Sequence, residues 1–217
     1  RMIGMSKWKL SLVSAVFMFS PSLWAATDGV DILDYDHIYA TAHSGSLNED
    51  AGGNNNASSF GLGVSYAMTD DWLLLGDYSA RFIHPDDTTT RIDTLMPGVG
   101  YRYSIKKDLD VVAYYLLGIT KGEVEDNDTN RTESSDTEFI QGIKAELNYG
   151  FAKRWIANGS VQVNRSDLFD EEIYHVGLRY LVTNKFAIGG SYQHRDGEGK
   201  IRSERTNELG VEFFLEY

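Results

Sequence analysis

The 217-residue chain contains no cysteine, which excludes disulfides, thiolate metal sites and a lipid-modified amino-terminal cysteine. Only three prolines occur, so little in the composition interrupts long strands. Basic residues are scarce beside acidic ones: 20 Lys and Arg stand against 32 Asp and Glu, a formal net charge of −12. Such a surface repels phosphate backbones and bare anionic membrane faces, which excludes nucleic acid as a partner. Long apolar runs are missing too. Mean hydropathy is −0.33, and the one sustained run, Leu10 to Phe19, is shorter than the roughly 20 residues of a spanning helix. A helical membrane protein is therefore excluded. A barrel is not, because an alternating strand hides its apolar half in the average.

The short run has a context of its own. Lys7 and Lys9 precede it, and Ser20-Pro21-Ser22-Leu23-Trp24-Ala25-Ala26 follows. A charged start, a short apolar middle and a small-residue exit read as a secretory signal peptide over residues 1–25. In this reading Met5 is the true start, residues 1–4 lie upstream, and cleavage after Ala25 releases a mature domain of residues 26–217. A buried core helix is the alternative reading of the same run. Removing Arg1, Lys7 and Lys9 from the 20 basic residues leaves 17 against 32 acidic ones, a formal charge of −15.

What the mature chain has in abundance is alternation with a period of two, the signature of half-buried strands. Phe60, Leu62, Val64, Tyr66 and Met68 alternate with Gly61, Gly63, Ser65 and Ala67; Tyr174, Val176, Leu178, Tyr180 and Val182 alternate with His175, Gly177 and Arg179. The pattern recurs over ten predicted strands, the first spanning roughly Ile32 to Ser44; eight is the alternative count. Pro97, inside the fourth, predicts a bulge. Short connections at 69–71, 105–108, 152–154 and 183–185 alternate with longer polar ones at 46–57, 84–90, 123–137, 166–171 and 196–205. Aromatics such as Tyr66, Trp72, Tyr101, Trp155, Tyr180 and Phe186 flank the short-turn ends, and Phe60, Phe82, Phe139, Tyr174 and Tyr192 the other. Two interfacial girdles and a turn-length asymmetry belong to transmembrane barrels and have no cause in a soluble sandwich. The predicted fold is all-β: a closed antiparallel up-and-down transmembrane β-barrel.

The last stretch places Leu209, Val211, Phe213, Leu215 and Tyr217 on one face, with Glu208, Gly210, Glu212 and Glu216 opposite. Together with the alternation, this aromatic-ended strand resembles the small outer-membrane β-barrel proteins of the OmpA-like/OmpX-like superfamily. The resemblance implies insertion in the bacterial outer membrane among its lipid and lipopolysaccharide. It also implies recognition of that terminal strand by the barrel-assembly machinery. It specifies fold and location better than role, because such barrels serve as adhesins, narrow channels, anchors and enzymes.

Candidate chemistry lies inside the barrel, on the loops or at the rim. The predicted interior holds Asp77, Arg81, Arg102, Lys144, Glu146, Arg179, Arg195 and Glu212, read as a salt-bridge and hydrogen-bond filling in place of an apolar core. The same residues read alternatively as a narrow path for ions or small solutes. Loop carboxylates Asp50, Asp86, Asp87, Glu123, Glu125, Asp126, Asp128, Asp136, Asp170 and Glu171 form a solvated acidic surface. Asp126-Asn127-Asp128 starts like a calcium loop, but Arg131 takes the place of its glycine and no spaced Glu completes it. His84, before Pro85-Asp86-Asp87, and His194, between Ser191 and Asp196, raise a lipid-A-modifying enzyme or a rim protease. Ser191 and His194 face opposite ways, however, and the His-x-Ser spacing of the barrel deacylases is absent. The expectation is a non-enzymatic surface barrel, structural or adhesin-like, acting through acidic outer loops, with no cofactor, metal or catalytic residue and an unspecified extracellular ligand.

Overall fold

A computed structural model of the chain describes residues 32–47, 56–84, 88–126, 129, 131–199 and 204–217. The signal-peptide reading, and Asp50, Asp86, Asp87 and Asp128, lie outside the described residues. The elements are β1 (His37–Leu47), β2 (Asn56–Ala67), β3 (Trp72–His84), β4 (Thr88–Lys106), β5 (Leu109–Asp126), β6 (Arg131–Ser134), β7 (Glu138–Ala152), β8 (Trp155–Ser166), β9 (Phe169–Leu181), β10 (Phe186–Gly199) and β11 (Glu204–Glu216). Neighbours in sequence pair antiparallel around the wall, β1 pairs with β11, and β5 pairs with both β4 and β7. The result is a closed ten-strand barrel with β6 as an extra strand on the upper part of β5. Closure is what lipid demands, since an unpaired backbone group in hydrocarbon costs several kcal/mol.

The apolar stripes face outward. Leu62, Val64, Tyr66, Leu95, Val99, Ile143, Leu178, Val211 and Phe213 are all exposed, while their sequence neighbours point into the barrel. At the short-turn end, Trp72 meets Tyr101 edge-on at 5.3 Å between ring centroids and Trp155 meets Tyr180 at 4.8 Å. Both are cross-strand pairs in register. Two of these turns share one device. The hydroxyl oxygens of Thr69 and Thr183 accept hydrogen bonds from the amides of Trp72 and Phe186, each at 3.0 Å, so a threonine three residues before an aromatic fixes the turn.

The outer end departs from the sequence reading. The segment 123–137 was expected as a loop; instead β5 runs to Asp126 and β6 pairs with it from Arg131 to Ser134. The expected connection 166–171 shrinks to residues 167–168, because β9 starts at Phe169. Polar composition marks departure from lipid, and a strand that rises into water keeps its backbone pairing after it has lost its outward apolar stripe. The first strand starts at His37, and residues 32–36 are not strand at all. Nor does Pro97 make a bulge. Pairing of β4 with β5 skips from Leu95 to Gly98 without a change of register, and the register shift falls between Ser104 and Lys106. The missing N–H thus removes a ladder step only. Gly118 lets the backbone of Leu95 and Met96 come close where a Cβ would collide.

A comparable approach seals the barrel. At Gly45 on β1, a Cβ would run into the backbone carbonyl of Asn207 on β11. Gly45→Ala should therefore loosen the β1–β11 seam at a cost of about 1–3 kcal/mol. The check is the temperature at which the folded band converts on a heat-modifiability gel, which should fall relative to wild type.

Candidate functional site

Because side chains alternate, each of the ten barrel strands delivers about half its residues to one enclosed lumen, and the order along each strand becomes height within it. At the short-turn mouth, residues 32–36 lie across the opening. Ile32, Leu33 and Tyr35 are buried with Leu73, Val112 and Ile156 of the wall. Gly150 leaves the room that Ile32 fills. The Tyr35 hydroxyl donates to Asp110 at 3.0 Å and accepts from Asn148 at 3.3 Å. The Arg102 guanidinium lies 5.1 Å from the centre of its ring. Burial pushes the Tyr35 phenol well up, with the charges of Asp110 and Glu146 acting in the same direction. The carboxylate of Asp36 accepts from the Ala67 amide at 2.7 Å. Residues 32–36 are thus held against the wall at this mouth.

Above it, Lys144 pairs with Glu146 at 2.6 Å, Glu146 accepts from Asn148 at 2.8 Å, and Tyr39 donates to Asp77 at 2.6 Å. Arg179 stacks on Phe214, 3.3 Å from the ring centre. On the next level His43 shares a hydrogen bond of 2.9 Å with Ser191, and His175 one of 2.8 Å with Glu212. Higher still, Arg81 pairs with Glu204 at 2.7 Å and lies 3.8 Å from Glu171, which Arg195 reaches at 3.2 Å. Glu208 accepts from Thr206 at 2.7 Å and from Ser59 at 2.9 Å. Leu47, Ile83, Ile92, Ile140, Leu168 and Phe169 at the outer end belong to the same apolar cluster as Ile32 and Leu33, with Leu75, Met96, Tyr114 and Leu116 between them. Beside it remains a cavity of about 180 Å³, lined by residues that include Asp77, Lys144, Glu146, Arg179, Arg195 and Glu212.

Of the residues named from the sequence, Asp77, Lys144, Glu146, Arg179, Arg195 and Glu212 border the cavity, Arg81 is buried against Glu204 and Arg102 lies over Tyr35, in separate clusters at different heights. Sequence reasoning missed two of their partners, Tyr35 beneath Arg102 and Glu204 against Arg81. Glu171, expected on the acidic loop surface, is buried at 5% exposure inside the barrel. It shares parity with Ile173 and His175, a signal that becomes visible once β9 is known to begin at Phe169.

The outer wall carries a second boundary. Outward residues change from Leu95 to Asp93 and Arg91 on β4, and from Ile119 to Lys121 and Glu123 on β5, in matching register. Arg91 pairs with Asp93 at 2.8 Å, Lys121 with Glu123 at 2.9 Å, and Tyr78 donates to Asp93 at 2.7 Å. Hydrocarbon ends at this level. The rim histidines stand above it: His84 bonds Thr89 at 3.1 Å, and His194 bonds Asn207 at 2.9 Å. Ser191 sits on the opposite face of the wall, in the lumen.

The model of one protein family, described as outer membrane protein beta-barrel domain, matches residues 13–213. Among solved structures, the chain is similar to Neisserial surface protein A at 11% identity, covering 83% of this chain and 96% of that one, with a TM-score of 0.45. It is similar to the translocator domain of the autotransporter NalP from Neisseria meningitidis at 9% identity, covering 90% and 91%, with a TM-score of 0.48. Ail, the attachment invasion locus protein of Yersinia pestis, is 15% identical over 84% of this chain and 100% of that one, with a TM-score of 0.40. Identities and scores this low carry no assignment of role. No curated protein matches the chain.

Among the described residues the Arg81 cluster is the most fully desolvated ion group, with side chains 4–6% exposed. Arg81→Met should leave Glu204 and Glu171 short of a buried cation, at a cost of about 3–5 kcal/mol. Arg165→Met, which breaks a half-exposed pair with Asp170, should cost less than about 1 kcal/mol. Urea unfolding of the two variants in detergent micelles measures the difference.

Proposed function

The chain belongs to the outer membrane protein β-barrel domain family, and from that premise we propose that it is a non-enzymatic barrel whose work is done outside the cell, by surface interaction. Its place is the bacterial outer membrane. One observation carries the reading: the lumen is filled and stoppered while the wall rises on one side. Strands β4 and β5 have 19 and 18 residues, against 12 in β2 and in β8. A tilted strand crosses lipid in about 9–11 residues, so the upper six or so residues of each rise on the order of 20 Å along the strand beyond it. With β6, whose four residues are all exposed, they make a three-stranded outer sheet. Glu123, Glu125, Asp126 and Glu133 give that sheet and its margins an acidic character. Such a projection offers a partner both charge and, along β6, a strand edge.

A second reading, a narrow channel, draws on the charged lining of the cavity. It requires the stopper of residues 32–36 to leave the short-turn mouth. An enzyme at the outer rim has weaker support, since among the described residues His84 bonds Thr89 and His194 bonds Asn207, where a base would need an orienting carboxylate.

The proposal extends to biogenesis: residues 1–25 act as a cleaved signal peptide, and Leu209, Val211, Phe213, Leu215 and Tyr217, all exposed on the lipid face, serve as the strand read by the assembly machinery.

In planar bilayers the purified barrel should give no reproducible ohmic steps. Steps that appear only after residues 32–36 are deleted fit a stopper, and steps in the intact chain would overturn the surface reading in favour of the channel. Cells bearing a variant with 123–136 replaced by a short turn should keep the folded barrel and lose adherence; equal adherence argues against the outer sheet. Deleting Tyr217 should lower the amount of folded protein in the outer-membrane fraction several-fold.

A further inference from the structure

One lumen cluster, besides its hydrogen bonds within the filling, carries a metal-ligating set of donors. His43 on β1, His175 on β9 and Glu212 on β11 bring one ligand atom each to within 4.8 Å of one another. The Ser191 hydroxyl of β10 is the fourth polar group, 2.9 Å from His43 Nε2. The four strands are consecutive around the wall, so the cluster sits across the β1–β11 seam.

Glycine makes this convergence available. In register across the wall, His43 faces Gly210, Gly210 faces Ser191, and Ser191 faces Gly177. A Cβ on Gly210 would run into the imidazole of His43, and one on Gly177 would come within 3.2 Å of His175 Cε1. The two glycines clear floor space over which the rings lie inward, toward each other and toward Glu212. His43 and Glu212 are 8% and 4% exposed, and all three ligands border the 180 Å³ cavity. That volume holds an ion and several waters, each needing about 30 Å³.

We propose that His43, His175 and Glu212 form a binding site for a divalent transition metal of the Zn²⁺ type, with Ser191 or a water completing the coordination. Two imidazole nitrogens and one carboxylate suit zinc and its neighbours and not Mg²⁺ or Ca²⁺, which take oxygen ligands. Ligand distances of about 2.0–2.2 Å place the donors of a tetrahedral site roughly 3.4 Å apart. His175 Nε2 and Glu212 Oε1 are already nearer than that, at 2.8 Å. Drawing in the third donor takes a movement on the order of 1 Å. Arg195 pairs with Glu171 and Arg179 stacks on Phe214, so their closest contacts lie away from the site, and the charge of Arg179 also acts on Glu212. Without metal, the pairs His43–Ser191 and His175–Glu212 satisfy each other; with it, both imidazoles turn their lone pairs to the ion. Because the ligands straddle the seam, the ion ties β1 to β9 and β11.

The full chain, refolded into detergent micelles in the presence and absence of Zn²⁺, supplies the test. Metal analysis after dialysis should give one equivalent of zinc, and Co²⁺ in its place should give the intense visible bands of four-coordination. The loaded barrel should also convert at a higher temperature on a heat-modifiability gel. His43→Gln and His175→Gln should each lower affinity at least ~10-fold, and Glu212→Gln should do likewise. His84→Gln, outside the cluster, should bind as wild type. The gel shift shows which variants fold. If one ligand variant does not, the others and the Co²⁺ spectrum of the wild type still decide. Zinc bound equally by wild type and a folded ligand variant would be held on surface carboxylates and would overturn the site. So would the absence of stoichiometric zinc after refolding with the metal present, or a Co²⁺ spectrum of the weak octahedral kind.

Discussion

Backbone hydrogen bonding without water is the constraint from which the rest of this molecule follows. In hydrocarbon each N–H and C=O must find a partner inside the chain, and a sheet can offer that only by meeting itself. The β1–β11 pairing, in continuous register from His37–Glu216 to Leu47–Thr206, is where the condition is met. Gly45 and Gly118 mark points where strands come too near for a side chain. Above the membrane the same pairing persists without being required, and there the sheet becomes irregular: β6 adds to one edge and β4 and β5 outgrow their neighbours.

Closing the sheet creates a second problem, an interior that is neither water nor oil. The chain fills it with an apolar and a charged part side by side. One connected apolar cluster runs from Ile32, Leu33 and Tyr35, supplied by the segment before β1, through Leu75, Met96, Tyr114 and Leu116 to Leu47, Ile83 and Phe169, and the charges gather beside it. Charges removed from water are costly unless paired, and the pairs are assembled from distant strands: Arg81 with Glu204 and Glu171, Lys144 with Glu146, His175 with Glu212. Stacking of Arg179 on Phe214 and of Arg102 over Tyr35 gives planar guanidinium groups an aromatic partner instead.

Lipid-facing order was legible in the sequence because it depends on parity alone. Leu62, Val64 and Tyr66, or Leu209, Val211 and Phe213, declare their face by alternation, and the family resemblance carried by the terminal strand holds for the chain. Outer-end boundaries were not legible. Past Asp93 and Lys121 the outward face turns polar, so a paired strand and a solvated loop have the same composition. Glu171 was misplaced for that reason, and so was the whole of β6. Proline misled in the opposite sense, since a missing donor at Pro97 was absorbed by an omitted ladder step opposite Gly118.

By itself the sequence determined the alternation that turns one face of each barrel strand to lipid and the closed antiparallel class of fold, because a period of two is a local property of an extended chain. Only the tertiary structure decided who meets whom. Height in the lumen depends on register between strands far apart in sequence, and so the pairing of Arg81 with Glu204, the stopper built from residues 32–36 and the convergence of His43, His175 and Glu212 had no local signal. Alternation fixes direction, whereas register fixes neighbourhood.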